Sequence, residues 1–335
     1  MENDIYAGAA EAQQLLHQKY MRRCLQLARN GQRNAKPNPM VGAVIVSRDG
    51  RILGEGYHVH CGEAHAEVNA FASVRPEDES LLSEATIYVS LEPCSHYGKT
   101  PPCADLIVRK GVRRCVCGSV DPFSQVHGRG IQRLRDAGIE VIVGILEAEC
   151  LALNRRFITF NTHQRPYILL KWAQTADGFI AHNGQPLAIS TAFTKMLVHK
   201  LRTEYEAILI GRNTLDIDRP QLNVREWAGP SPERIVLSHR PTTVPDGFVC
   251  LPSIDDVLQH LYNTGKQSLF VEGGTNVLQQ FIDRGLWDEI QIETSPMTIS
   301  EGVKAPQPPL TSLLVAQETY DGNTISHYRA ENLAL

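Results

Sequence analysis

Residues 65–74 read HAEVNAFASV and residues 92–103 read EPCSHYGKTPPC, with the strand-like run ATIYVSLE (85–92) between them. The first stretch predicts a helix that opens at His65 and carries Glu67 in its first turn. The second puts Cys94 just past a strand and Cys103 at the head of CADLIVRKG (103–111), a helix pattern with Gly111 as its stop. One His and two Cys are the three protein ligands that leave the fourth position of a zinc ion open, which is the catalytic arrangement. Zinc brings the pKa of a bound water toward ~7, and such a site needs a proton carrier. Glu67, two residues after His65, is the candidate. A His-x-Glu pair alone is weak evidence. Two Pro-Cys pairs, Pro93–Cys94 and Pro102–Cys103, at strand–loop–helix positions make the reading specific against unrelated residues plus two buried thiols.

The pattern around these stretches is α/β. AQQLLHQKYMRRCLQLARNG (12–31) has helical spacing and ends on Gly31. MVGAVIV (40–46) and RILGEGY (51–57) flank the turn RDG and predict a hairpin. RRCVCGSV (113–120) and IEVIVGI (139–145) read as strands around a helix, RGIQRLRDAG (129–138). Strands alternating with helices predict a three-layer α/β domain. LEAECLALNRRFITFNTHQR (146–165) reads as a polar helical bridge, broken before Pro166 because the residue preceding a proline is pushed out of helix. The expected division is therefore residues 1–147 and 148–335, with a linker over about 147–165. Further strands follow at YILLKWAQT, EAILIG, RIVLS, FVCL, SLFVEGG and DEIQIETSP.

The bulk properties narrow the class. A chain of 335 residues suits two domains. A formal net charge of −4 supplies no field for nucleic acid. No apolar run reaches the ~18 residues of a membrane span. The start, MENDIYAGAAEAQQ, lacks the basic and apolar regions of a signal peptide. Eight scattered cysteines are expected to be mostly reduced, in a cytoplasmic protein. Cys115 and Cys117 alternate along a strand and read as small buried residues.

The zinc-site pattern is that of the zinc deaminases: His-x-Glu, then Pro-Cys and a second Cys. Here the two Cys are nine positions apart rather than three. With NPMVGAVIV (38–46), GEAHAEVNA (62–70), LEPCSHYGKTPPC (91–103) and GRGIQRLRDAGIEV (128–141), that spacing resembles the bifunctional deaminase–reductases of riboflavin biosynthesis, and the resemblance covers nearly the whole chain. It implies a cytidine-deaminase-like first domain. There, zinc on His65, Cys94 and Cys103 and a proton shuttle at Glu67 remove the 2-amino group of 2,5-diamino-6-ribosylamino-4(3H)-pyrimidinone 5′-phosphate. It further implies a pyrimidine contact at Asn38 and ribose-phosphate contacts at His58 and Lys99. Asn38, between two prolines, equally suits a plain turn. Where the family has Asp-Pro-Asn-Pro, this chain has DPFSQV, with Phe123 at the Asn position.

In the second half the informative stretch is SLFVEGGTNVLQQFI (268–282). A strand gives way to two glycines and a helix from about Thr275, and bare amides at a helix start form an anion site. LKWAQTADGFIA (170–181), HKLRTEYEAILIGRNTLDIDRPQLNVR (199–225) and VEGGTNVL (271–278) resemble the family's reductase domain, which is dihydrofolate-reductase-like. The resemblance implies that NADPH reduces the ribosyl group to ribityl. It places NADPH near Ala173, Ala188, Thr214, Asp218, Ser238, Gly274, Thr275, Asn276, Val277 and Leu278. It places the substrate near Arg202, Leu222, Arg225 and Glu272. Two arginines suit a phosphate monoester, and Ser238, His239 and Arg240, leaving the strand RIVLS, suit a 2′-phosphate. Departures are Pro186 and Ala188 at the positions of a Ser and a Trp, and Arg219 where an acidic residue or Asn is usual. A homo-oligomer, dimer or tetramer, is expected. The rival reading is another zinc nucleobase deaminase carrying a non-catalytic nucleotide-binding module. The complete second domain and the long Cys–Cys insert argue against it.

Overall fold

The computed structural model describes residues 2–96, 101–122, 128–182, 185–240 and 243–330. The chain forms two compact units, residues 1–162 and 163–334. The bridge helices therefore belong to the first unit. Asn154 fixes them there: its side-chain amide accepts from Met40 N and donates to Met40 O, at 2.8 and 2.9 Å.

The first unit runs α1 (Glu2–Arg29), β1 (Gly42–Val46), β2 (Ile52–Tyr57), α2 (Ala66–Ala72), a 3-10 segment (Pro76–Glu84), β3 (Thr86–Val89), α3 (Cys103–Lys110), β4 (Arg114–Cys117), α4 (Arg129–Asp136), β5 (Glu140–Val143), α5 (Glu147–Leu153) and α6 (Arg155–His163). Its sheet has the order β2-β1-β3-β4-β5. β1 is antiparallel to β2 and β3, and β3, β4 and β5 are parallel. All five residues of β1 are buried because the sheet is covered on both faces. Ala43 and Ile45 pack with Ala66, Ala70 and Ile107, while Val44 and Val46 pack with Met21, Cys24 and Leu25 of α1. That alternation makes the three layers. Gly56 lets α2 lie close on β2: a Cβ there would collide with Ala70 N. Cys115 and Cys117 are both buried, as strand residues of small volume should be.

The second unit runs β6 (Tyr167–Thr175), β7 (Phe179–His182), β8 (Gln185–Pro186), α7 (Ala192–Glu204), β9 (Ala207–Gly211), α8 (Arg212–Asp218), β10 (Glu233–Leu237), β11 (Phe248–Leu251), α9 (Ile254–Asn263), β12 (Ser268–Val271), α10 (Thr275–Asp283), β13 (Glu289–Ser295), β14 (Val303–Lys304), β15 (Ser312–Tyr320) and β16 (Asn323–Ala330). An eight-stranded sheet has the order β11-β10-β9-β12-β6-β13-β16-β15. It is parallel from β11 to β13 and antiparallel through β16 and β15. Ile168 and Leu170 face one core with Val257 and Phe281; Tyr167 and Leu169 face the other with Val198 and Ile208. Asp288, fully buried, accepts from both Nη atoms of Arg165 and from Ile168 N, which anchors the start of β6. The fold class is α/β in both units, as expected: a five-stranded sheet layered by helices on both faces, and an eight-stranded mixed sheet with cores on both faces.

Candidate active sites

In the first unit the fold gathers residues from one helix start, one strand end and a second helix start. His65 is the N-cap of α2, Cys94 follows β3, and Cys103 opens α3. His65 Nδ1 lies 3.5 Å from Cys94 Sγ and 3.3 Å from Cys103 Sγ. The three ligand atoms all lie within 4.8 Å of one another. Zn–N and Zn–S bonds near 2.1 and 2.3 Å at tetrahedral angles require separations of roughly 3.5–3.8 Å, so this donor set fits a zinc ion. Among the described residues it is the single such cluster. Cys103 N donates to Cys94 Sγ at 3.3 Å. A hydrogen bond from the Cys103 thiol, and then one from His65, hold the Cys94 thiol below its ordinary pKa. A thiolate is the form that binds metal.

Glu67 is 3% exposed in the first turn of α2. Burial, and then the charge on Cys94, push its carboxyl up to about 7. A group poised there can both take and give a proton near neutral pH. His58 stands beside the cluster, its ring edge-on to His65 with centroids 5.3 Å apart. Its Nδ1 donates to Ala64 O at 3.2 Å, which leaves Nε2 to accept from Asn38 Nδ2 at 3.1 Å. Burial lowers the pKa of His58, consistent with this neutral tautomer. Asn38, His58, His65 and Glu67 are thus neighbours, although 20 residues separate the first two. Lys99 and Phe123 lie outside the described residues.

Glu92, missed in the sequence, is 4% exposed and binds the backbone that passes the site. It accepts from Asp121 N, Gly128 N, Gly130 N and Ile131 N at 3.2, 2.9, 2.8 and 3.3 Å.

In the second unit a cleft of about 1080 Å³ opens at the carboxyl ends of β9, β10 and β12. Ligands of open parallel sheets bind at that edge. Gly273 eases the close approach: a Cβ there would meet Val277 Cβ at 3.0 Å and press the start of α10 back from the strand by a few tenths of an ångström. Thr214, Asp218, Ser238, Gly274, Thr275, Asn276 and Val277 line the cleft, together with His239 and Arg240. Three expected cofactor residues do not line it. Leu278 is fully buried in the core, because it points from α10 toward the sheet. Ala188 is exposed, and Ala173 is half-buried on β6. Leu187, beside Ala188, lines the cleft.

Arg202 and Glu272 meet in an ion pair, Arg202 Nη2 to Glu272 Oε2 at 3.1 Å. Arg202 is 9% exposed. Its Nη1 donates to Asn223 O at 3.2 Å, and its Nε is buried with no hydrogen-bond partner among the described residues. A buried donor left over in this way suits an incoming anion. Leu222 is buried beside this segment, and Arg225 is exposed. Two neighbours went unread in the sequence. His199, one turn before Arg202 on α7, accepts from Arg225 N through Nδ1 at 3.2 Å. Lys171, 5% exposed on β6, lies 3.7 Å from Glu272 and 4.0 Å from Glu293.

Fold and sites together define a two-unit protein of a recognisable class: a zinc-deaminase-type centre followed by a nucleotide-cleft α/β domain. Residues 15–119 match the cytidine and deoxycytidylate deaminase zinc-binding region, and residues 166–315 match the RibD C-terminal domain. Over 322 residues the chain is 37% identical to the riboflavin biosynthesis protein RibD of Aquifex aeolicus (strain VF5), covering 86% of this chain and 89% of that one. It is 36% identical over 320 residues to RibD of Actinobacillus pleuropneumoniae, covering 84% of each. The chain belongs to the RibD family of riboflavin biosynthesis proteins. A crystal structure from Thermotoga maritima, of a diaminohydroxyphosphoribosylaminopyrimidine deaminase/5-amino-6-(5-phosphoribosylamino)uracil reductase, is similar with a TM-score of 0.85 and 34% identity. It covers 95% of this chain and 99% of that one. Acinetobacter baumannii RibD, form 2, follows with a TM-score of 0.83 and 28% identity over 95% and 99%.

Proposed function

We propose that this enzyme performs two successive steps of riboflavin biosynthesis. Residues 1–147 and the helices after them carry a zinc-dependent pyrimidine deaminase, and the remainder carries an NADPH-dependent reductase. The deaminase substrate is 2,5-diamino-6-ribosylamino-4(3H)-pyrimidinone 5′-phosphate. The reductase then converts the ribosyl group of 5-amino-6-(5-phosphoribosylamino)uracil to ribityl. The observation that carries the reading is the convergence of His65, Cys94 and Cys103 beside a buried Glu67, in a chain that also has the second unit.

His65, Cys94 and Cys103 would hold the zinc, whose Lewis acidity activates water at neutral pH. Glu67 takes a proton from the attacking water and passes it to the departing amino nitrogen. Its burial keeps that proton exchangeable near pH 7. Asn38 and His58 orient the pyrimidine and its ribose phosphate from the side of the cluster where they stand. In the second unit the bare amides at the start of α10 and the polar groups at the end of β10 hold the dinucleotide phosphates. NADPH supplies the hydride. Arg202 and Arg225 bind the substrate phosphate, and Glu272 binds ribose hydroxyls. Among the described residues no helix is long and apolar enough to cross a membrane. A cytoplasmic homo-oligomer is our reading, supported by the exposed apolar run Leu313, Leu314 and Val315 on the edge strand β15.

The test separates the two units. Glu67→Gln keeps shape and zinc but cannot carry the proton. Deamination should fall at least ~10²-fold, with reduction of supplied intermediate unchanged. Parallel loss of both activities in a folded protein would contradict the two-site assignment.

A further inference from the structure

Glu293 is a carboxylate in an unlikely place. It sits on β13, inside the eight-stranded sheet, and is 1% exposed. Three neutral donors converge on it: Ser190 Oγ at 2.6 Å, Thr194 Oγ1 at 2.7 Å and Asn323 Nδ2 at 2.6 Å. The fourth neighbour is charged, Lys171 Nζ at 4.0 Å. Lys171 in turn reaches Glu272 at 3.7 Å, and Glu272 pairs with Arg202 at 3.1 Å. Four side chains therefore form a row of alternating sign, Glu293, Lys171, Glu272, Arg202. They come from β13, β6, the turn after β12, and α7. The row sums to zero charge.

A buried carboxylate is costly unless it is paired and hydrogen-bonded. Burial pushes the Glu293 pKa up. Ser190, Thr194, Lys171 and Asn323 together outweigh burial and hold it below the ordinary value. The neutral donors alone do not call for a charge, since a side-chain amide oxygen could accept from a hydroxyl just as well. What requires the charge is Lys171. Lys171 faces Glu272 Oε1 while Arg202 holds Oε2, so without Glu293 the ammonium loses one of its two carboxylates and its place between them.

We infer that Glu293 is a positioning residue of the reductase site: it holds the Lys171 ammonium between itself and Glu272, so that Glu272 and Arg202 keep the geometry that receives the substrate. The inference rests on reading the second unit as the reductase. Glu293 does not touch the substrate in this account; it acts through Lys171. The arrangement is specific to charge, which separates it from a cradle that merely ties α7 and β16 to the sheet.

The experiment is a double-mutant cycle on the full-length protein, with Glu293→Gln, Lys171→Met and the pair. The readouts are KM for 5-amino-6-(5-phosphoribosylamino)uracil, KM for NADPH, and NADPH binding by fluorescence. Glu293→Gln should raise the KM for the pyrimidine about tenfold, the scale of one charge-assisted contact, and leave the KM for NADPH within about twofold. Lys171→Met should raise the pyrimidine KM as well, and adding Glu293→Gln to it should change that KM little further. Equal, multiplying effects of Glu293→Gln in both backgrounds would overturn the inference, as would an unchanged pyrimidine KM. If Glu293→Gln no longer binds NADPH, the pair decides. Restored binding in Lys171→Met/Glu293→Gln supports the charge coupling, and continued loss contradicts it. Absence of NADPH oxidation by the wild-type protein would instead overturn the reductase reading itself.

Discussion

Arg202→Ala is the substitution whose consequences the structure fixes most fully. The side chain makes one ion pair, to Glu272, and one hydrogen bond, to Asn223 O, and it holds back a buried Nε with no partner among the described residues. If that guanidinium receives the substrate phosphate, truncation removes at least one charge-assisted hydrogen bond, worth about 1.5–3 kcal/mol. KM for the ribosyl intermediate should then rise roughly ten- to a hundred-fold. The folded state also loses the pair. Breaking a fully buried ion pair costs about 3–5 kcal/mol. Glu272 is one-fifth exposed and keeps Lys171 at 3.7 Å, so a smaller loss of about 1–2 kcal/mol is expected here. For a unit of this size that lowers the melting temperature of the reductase unit by roughly 2–8 °C. The assay is steady-state NADPH oxidation over a range of intermediate, with a melting curve on the same preparation. NADPH binding should be nearly unchanged, because Arg202 does not line the cleft. A wild-type KM in a protein whose melting temperature has dropped would refute the phosphate role and leave Arg202 as a structural ion pair.

Two further outcomes follow from the sites. Purified protein should carry about one zinc per chain, as an open three-ligand site requires, and a Cys94→Ser/Cys103→Ser variant should carry almost none; wild-type metal content in that variant would reject the ligand set. Arg240, which lines the cleft beside Ser238 and His239, is expected to read the 2′-phosphate: Arg240→Ala should lower kcat/KM for NADPH and spare NADH, and an equal loss for both cofactors would place the preference elsewhere.

The deaminase site was legible in the sequence because each ligand sits in a short local motif at a strand end or helix start. His65, Glu67, Cys94 and Cys103 are read from spacing alone. The neighbouring pair Asn38 and His58 came from family resemblance, and the hydrogen bond between them is visible only once the hairpin is folded. The second unit was harder. Arg202 reads as solvent-facing in HKLRTE, and only the packing of α7 buries it. Lys171 and Glu293 read as isolated polar residues in apolar strands. Their relationship lies across adjacent strands, 122 positions apart in the register that pairs β6 with β13. The segment Pro76–Glu84 shows little apolar periodicity; it folds as a 3-10 turn series in which Asp78 accepts from both Nη atoms of Arg51. β15 and β16 also went unread. Nearly all of β15 is exposed, so its sequence carries no alternation between core and solvent.

The most direct measurement is product analysis by mass spectrometry after feeding the purified, zinc-loaded protein 2,5-diamino-6-ribosylamino-4(3H)-pyrimidinone 5′-phosphate. Without NADPH the account predicts a single product in which an amino group has been replaced by oxygen, with release of ammonia. With NADPH it predicts that this product gains a further pair of hydrogens while NADPH is consumed in equal amount. Recovery of the diaminopyrimidine unchanged, or deamination with no NADPH consumed, would contradict the claim that one chain carries both steps.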